Sequence, residues 1–233
     1  MTWQANQLQE RIIVALDVPT SVAALDLVRR LSPHPGLFKI GLQLYTAAGP
    51  DIVRAVRDLG GRVFLDLKLH DIPNTVGRAV ESANSLGVEM LTLHLSGGRA
   101  MIEAAVRAAT PELLLLGVTI LTSVDEATLH EVGVGSSVAD QVLKLANLGV
   151  ESGIRGLVAS AKELLPLRTA FGKQITLVTP GIRPIGAEPN DQRRALTPAD
   201  ALKAGTDFLV IGRPITGADD PRVALEQIIA DAL

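Results

Sequence analysis

Eight short apolar runs, separated mostly by amphipathic stretches, constrain this 233-residue chain more than any other feature. They are RIIVALD (11–17), LFKIG (37–41), RVFLDLK (62–68), EMLTLHL (89–95), LLLLGVTIL (113–121), IRGLVAS (154–160), ITLVTP (175–180) and DFLVIG (207–212). Each has the length of a strand rather than of an ordinary helix. Between them, segments such as SVAALDLVRRL, PDIVRAVRDLG and RAMIEAAVRAA repeat Ala, Val, Leu and Ile at spacings of three and four, with Arg, Asp and Glu filling the other face. A strand that is apolar on both faces must be covered on both faces. This is the situation of a parallel sheet sheathed by helices. Eight strand–helix repeats with no Pro/Gly-rich linker predict one (β/α)8 barrel, a TIM barrel filling residues 1–233 as a single domain. An open doubly wound sheet is the alternative, but its Gly-x-Gly-x-x-Gly turn after the first strand is replaced here by ALDVPT.

Composition narrows the function. Aromatic residues are only 3% of the chain and the net charge is −3, which leaves neither stacking platforms nor a basic footprint for nucleic acid. There is no cysteine, so disulfides, thiolate metal sites and cysteine nucleophiles are excluded. The opening MTWQANQLQE lacks the cationic start and apolar run of a secretory signal. The longest apolar run, 113–121, is about half of what a membrane span requires. A cytoplasmic protein that neither enters nor binds a membrane is expected.

Polar residues gather where the apolar runs stop. In order they are Asp17, Lys39, Asp66 with Lys68, His94 with Ser96, Thr122 with Ser123, Ser160, Gly181, and Gly212 with Arg213. In a barrel these positions share the C-terminal face, where catalysis takes place. Taken singly each has a structural explanation: Asp17 as a helix cap, His94 as a hydrogen-bonded histidine at the core rim. Asp66 and Lys68 lie two apart, so strand alternation puts them on one side, facing the barrel axis, with Leu65, Leu67 and Leu69 under the helices. Lys39, on the neighbouring strand, is open to the same two readings, a structural ion pair or part of a functional array, and brings the mouth to two lysines and two acids. A rim ion pair and a catalytic array fit this pattern equally. An alternating charge array is costly to desolvate, however, and makes more sense if a charged ligand completes it.

The last two repeats indicate that ligand. TPGIRP places Gly181 after strand seven, and VIGRPIT places Gly212 and Arg213 after strand eight. Glycines there let backbone N–H groups approach an anion, and Arg213 offers a fork for phosphate oxygens. Glycine at a barrel turn also has a purely steric use. The polar stretch RPIGAEPNDQRRALTP (183–198) is long for a connection in a compact domain. It reads either as a tolerated insertion or as a lid, and its position on the C-terminal face favours a phosphate-closing loop at about 183–196.

The motifs DLKLHDIPNTV, FKIGLQLY, LTLHLSGG, GVTILTS, VTPGIRP, DQRRALTPADALKAGTDFLVIGRPIT and IIVALD together resemble the bacterial-type orotidine 5′-phosphate decarboxylase family, from about residue 11 to the C-terminus. The resemblance implies a (β/α)8 homodimer that converts orotidine 5′-monophosphate to UMP and CO2 with no metal or organic cofactor. It implies Lys68 as proton donor, with Asp66 beside it and Lys39 completing the array. Asp71 and Thr75 would reach into the partner subunit's site. Asp17 and Lys39 would contact the ribose, Thr122 and Ser123 the pyrimidine amide, and Gln192, Gly212 and Arg213 the phosphate, with Arg183 beginning the closing loop. Loss of CO2 from C6 leaves an in-plane electron pair that the ring π-system does not delocalise. Without an electron sink such as PLP, the remaining means are electrostatic stabilisation and immediate protonation, both within reach of an ammonium between two acids.

Two rivals remain on sequence grounds. A Mg2+-dependent sugar-phosphate decarboxylase or aldolase of the same barrel type would share DxKxxD and the phosphate site. Where such enzymes carry an acid on strand two, this chain has Lys39, whose charge repels a divalent cation. A non-catalytic nucleotide-binding barrel would have no need of Lys68 between two acids.

Overall fold

The computed structural model describes residues 4–32, 36–184 and 196–233. Eight parallel strands close in chain order into one barrel: β1 Ile12–Ala15, β2 Leu37–Gly41, β3 Val63–Leu69, β4 Met90–His94, β5 Leu114–Val118, β6 Gly156–Val158, β7 Thr176–Thr179 and β8 Phe208–Ile211. Closure is made by β8 against β1, through Ile12↔Leu209, Ile13↔Val210 and Val14↔Ile211. Each of the eight apolar runs holds one strand, as expected for the predicted barrel, with β3 reaching one residue beyond its run, to Leu69. The runs extend past the strands, most clearly at β5 and β6. There the C-terminal residues Ile120, Leu121 and Ser160 leave the ladder and line the barrel mouth.

Alternation along the strands divides the core in two. Ile13, Ala15, Leu37, Phe64, Met90, Leu116, Val178 and Val210 fill the barrel interior. The opposite parity, including Ile12, Val14, Phe38, Ile40, Val63, Leu65, Leu91 and Leu93, packs beneath the helices. Helices begin where a short polar side chain satisfies the free N–H groups of the first turn. Thr20 accepts from Ala23 N at 3.2 Å, Ser137 from Asp140 N at 3.1 Å and Thr197 from Asp200 N at 3.1 Å. Asp220 Oδ1 accepts from Arg222 N at 2.9 Å. Leu95 occupies space that two glycines leave open: a Cβ on Gly117 or Gly149 would lie 2.8 or 2.9 Å from its side chain. Leu95 thereby locks helix Val138–Glu151 onto β5. Among the described residues, no helix is long and apolar enough to cross a membrane.

At the N-terminal end of the barrel, away from the polar strand ends, Arg168 binds several groups at once. Its guanidinium donates to Gly205 O at 2.7 Å, Gly172 O at 2.7 Å and Ile175 O at 2.9 Å, and it pairs with Asp207. Asp207 also accepts from Leu177 N at 2.8 Å, so the pair ties the entries of β7 and β8 together. Removal of the guanidinium takes a donor from three carbonyls and, among the described residues, leaves the Asp207 carboxylate with only the Leu177 N–H and a distant Arg11 at 3.9 Å. We expect Arg168→Ala to lower unfolding stability by about 2–3 kcal/mol, with Asp207's partial exposure holding the loss below that of a fully buried pair. Urea denaturation checks this, and a change under about 0.5 kcal/mol would contradict it.

Candidate active site

The stretch after Phe64 departs from a regular strand. Leu65 pairs with Leu91, but the next pair is Leu69 with Leu93, so β3 carries two more residues than β4 over the same span. Lys68 absorbs the excess with φ 51, the one positive φ at a non-glycine among the described residues. Such strain in an L-residue persists only where the surroundings enforce it. The expectation that Asp66 and Lys68 share a side is met, but by this bulge rather than by simple alternation. Lys68 Nζ lies 2.8 Å from Asp66 Oδ1 and 2.9 Å from Oδ2.

The register also settles Lys39. It aligns with Ala15 on one side and Phe64 on the other, both interior residues, so it points into the barrel. Its Nζ donates to Asp17 Oδ1 at 2.8 Å and stands 3.8 Å from Asp66 Oδ2. The result is an alternating row, Asp17–Lys39–Asp66–Lys68, running from β1 to β3. Exposure rises at both ends: the Lys39 and Asp66 side chains are 11% and 14% exposed, Lys68 is 29% and Asp17 60%. Two positive and two negative groups therefore share a half-dehydrated site, where each interaction is stronger than in bulk water.

Two residues absent from the sequence reading hold this row. Thr92, fully buried on β4, donates its hydroxyl to Asp66 Oδ1 at 2.9 Å and accepts Lys68 N–H at 2.9 Å. A threonine at inward parity in an apolar strand was its only signal. Gly41 provides room: a Cβ there would lie 3.0 Å from Lys39 Nζ and 3.3 Å from Asp17 Oδ1.

Lys39, Asp66 and Lys68 form one wall of a cavity of ≈ 160 Å3 at the barrel mouth, with Asp17 outside its lining. The opposite wall is apolar, from Val118, Ile120, Val158, Val178, Pro180 and Val210, with Thr122 at its edge. Ser160 also lines it, and its buried Oγ has no hydrogen-bond partner among the described residues. A larger groove of ≈ 650 Å3, beside helix Leu164–Phe171, contains none of the four charged residues.

The other expected site residues are distributed around this mouth. Thr122 and Ser123 are exposed after β5. Gly212 closes β8 next to the row: a Cβ on it would lie 3.5 Å from Ala15 Cβ and 4.0 Å from Asp17 Oδ2. Arg213 follows it and is exposed. Arg183 is buried, donating to Ile182 O at 3.0 Å, and burial with the nearby Arg213 guanidinium lowers its pKa. The bridge Ile182↔Leu196 joins the two ends of the 183–196 segment. Gln192 and most of that segment (185–195) lie outside the described residues. Asp71 and Thr75 are exposed; the Asp71 carboxylate accepts Ile72 N–H at 2.6 Å and makes no ion pair with Lys68 within this chain.

His94 is half-buried and lies across from His70, with ring centroids 5.6 Å apart. Its pKa is pushed below 6.5, first by burial and then by His70 and Lys68, against a smaller opposing effect of Asp66. The unfolded chain therefore takes up a proton here at a pH where the folded chain still resists it. Stability is whole above about pH 6.5 and declines as pH falls through that value. We expect the thermal midpoint of the wild type to fall more steeply from pH 7 to about 5.5 than that of His94→Gln, and parallel profiles would contradict this assignment.

A family model described as "Orotidine 5'-phosphate decarboxylase / HUMPS family" matches residues 10–228, a span that includes all eight strands. The chain belongs to this family. Among curated members of the orotidine 5′-phosphate decarboxylase / HUMPS family, the orotidine 5′-phosphate decarboxylase of Opitutus terrae is 54% identical over 223 residues, covering 94% of this chain and 97% of that relative. The enzyme of the same name from Moorella thermoacetica is 49% identical, over 96% of this chain and 92% of the relative. In structure, the chain is similar to the orotidine 5′-phosphate decarboxylase of Lactobacillus acidophilus, with a TM-score of 0.84, 35% identity, and 95% and 98% of the two chains covered.

Proposed function

We propose that this chain decarboxylates orotidine 5′-monophosphate to UMP and CO2 in pyrimidine biosynthesis, with no metal or organic cofactor. The observation that carries the proposal is the row in which the Lys68 ammonium lies 2.8 Å from Asp66 and Lys39 stands 3.8 Å from the same carboxylate. When CO2 leaves C6, the electron pair stays in the ring plane. An ammonium at that atom lowers the energy of the developing charge and then transfers its proton to it, which completes the C–H bond of UMP. Asp66 holds the ammonium in place and stands beside the departing carboxylate. Lys39 balances Asp66 and, with Asp17, binds the ribose.

Thr122 and Ser123 read the pyrimidine amide from the opposite edge. Gly212, Arg213 and Gln192 hold the phosphate, and the 183–196 loop, beginning at Arg183, closes over it. Closure expels water and applies remote binding energy at the reacting carbon. The active form is a homodimer in the cytoplasm, in which Asp71 and Thr75 complete the partner's site. Their exposure, and the absence of an Asp71–Lys68 ion pair within one chain, support that assignment.

The Mg2+-dependent sugar-phosphate reading is disfavoured by Lys39, whose ammonium lies where a cation beside Asp66 would have to sit. The test is to incubate the protein separately with orotidine 5′-monophosphate and with a hexulose 6-phosphate plus Mg2+. Stoichiometric UMP from the first and no reaction in the second is expected. Metal-dependent turnover of the sugar phosphate, with orotidine 5′-monophosphate untouched, would overturn the proposal.

A further inference from the structure

The two extra residues of β3 raise a question about what keeps Lys68 in a conformation that its side chain disfavours. The bulge between Leu65 and Leu69 turns the Lys68 N–H out of the regular ladder. A single hydroxyl receives it: Thr92 Oγ1 accepts from Lys68 N at 2.9 Å and donates to Asp66 Oδ1 at 2.9 Å. The direction of both bonds is forced. An N–H only donates, so the hydroxyl proton is left for the carboxylate, which only accepts. Thr92 is fully buried, so water does not compete, and its β-branch restricts rotation of the hydroxyl out of position.

We infer that Thr92 is a positioning residue for the Asp66–Lys68 pair. Its acceptor side holds the bulge that folds Lys68 back over Asp66. Its donor side pins Oδ1, which orients Oδ2 toward Lys39 at 3.8 Å. Thr92 does not line the mouth cavity, so it acts on the reaction only through these two partners. The kinetic part of this inference rests on the decarboxylation proposed above, whereas the structural part does not.

Three readings test it: kcat and KM for orotidine 5′-monophosphate, and hydrogen exchange of the Lys68 amide. Thr92→Val keeps the shape and removes both hydrogen bonds; Thr92→Ser keeps both. Thr92→Val is expected to lose about 10–100-fold in kcat with KM within about threefold, because misplacement of a reacting group affects the transition state more than the bound substrate. The Lys68 amide should exchange at least about tenfold faster in this variant. Thr92→Ser should stay within about threefold of wild type on every reading. If Thr92→Val does not fold, Thr92→Cys replaces it, being close in size with a much poorer hydrogen-bond partner, and the same direction of change is expected. The inference is overturned if the folded valine or cysteine variant retains wild-type kcat and Lys68 protection. It is equally overturned if activity falls only with the folded fraction, or if serine is as impaired as valine. Were the wild type inactive on orotidine 5′-monophosphate, the functional proposal would fall, and Lys68 amide exchange would still decide the role of Thr92.

Discussion

Lys68→Ala is expected to lower kcat for orotidine 5′-monophosphate by about 10⁴-fold or more, the largest loss of any single substitution in this protein. Two contributions disappear together. Positioned proton transfer gives about 10²–10⁴-fold, and a preorganised positive group at a developing anion gives about 10²–10³-fold. Because both belong to one atom, Nζ, their loss is counted once in the variant, and the sum corresponds to about 5.5 kcal/mol or more. Folding should survive. Asp66 keeps the Thr92 hydroxyl at 2.9 Å and Lys39 at 3.8 Å, so the carboxylate is not left buried and alone. A variant that is folded by circular dichroism and still turns over within tenfold of wild type would remove Lys68 from the chemistry.

Arg213→Ala should reduce kcat/KM by about 10²–10³-fold, equivalent to about 3–4 kcal/mol, although Arg213 is assigned to the phosphate and not to the pyrimidine. A charge-assisted contact to phosphate that operates fully only in the closed state stabilises the transition state along with the substrate. The distinguishing control is orotidine, which lacks the phosphate. Wild type and Arg213→Ala should process it at equally low rates, since the contact that separates them is gone. A kcat/KM near the wild-type value on the full nucleotide would count against the phosphate assignment. A difference that persists on orotidine would instead make Arg213 a structural residue of the mouth.

Much of the barrel was legible because its strands are covered on both faces, which makes each an uninterrupted apolar run broken only at its ends. The same property marked the site, since an ionisable side chain at the end of such a run is conspicuous. Asp17, Lys39, Asp66 and Lys68 were all visible in this way, and they form one row. The bulge was not legible. It depends on how many residues β4 offers opposite β3, and periodicity within one strand carries no information about its neighbour. The place of Lys39 in the mouth was expected from its position at a strand end, and its register against Ala15 and Phe64 agrees with it. Thr92 and Gly41 act through what they touch or leave empty, and their residue types alone are ordinary in a strand. Asp71 looked like a flank of Lys68 because it is three positions on, but it lies past the end of the strand, where the chain has already turned toward helix Pro73–Ser85.

The most direct test of the central claim is decarboxylation of orotidine 5′-monophosphate by the purified protein in excess EDTA, followed by ultraviolet absorbance beside Lys68→Ala. Rapid loss of substrate by the wild type, unchanged by the chelator and absent in the variant, is the predicted result. No turnover, or turnover that returns only when Mg2+ is restored, would contradict it and favour the metal-dependent sugar-phosphate chemistry of the same barrel.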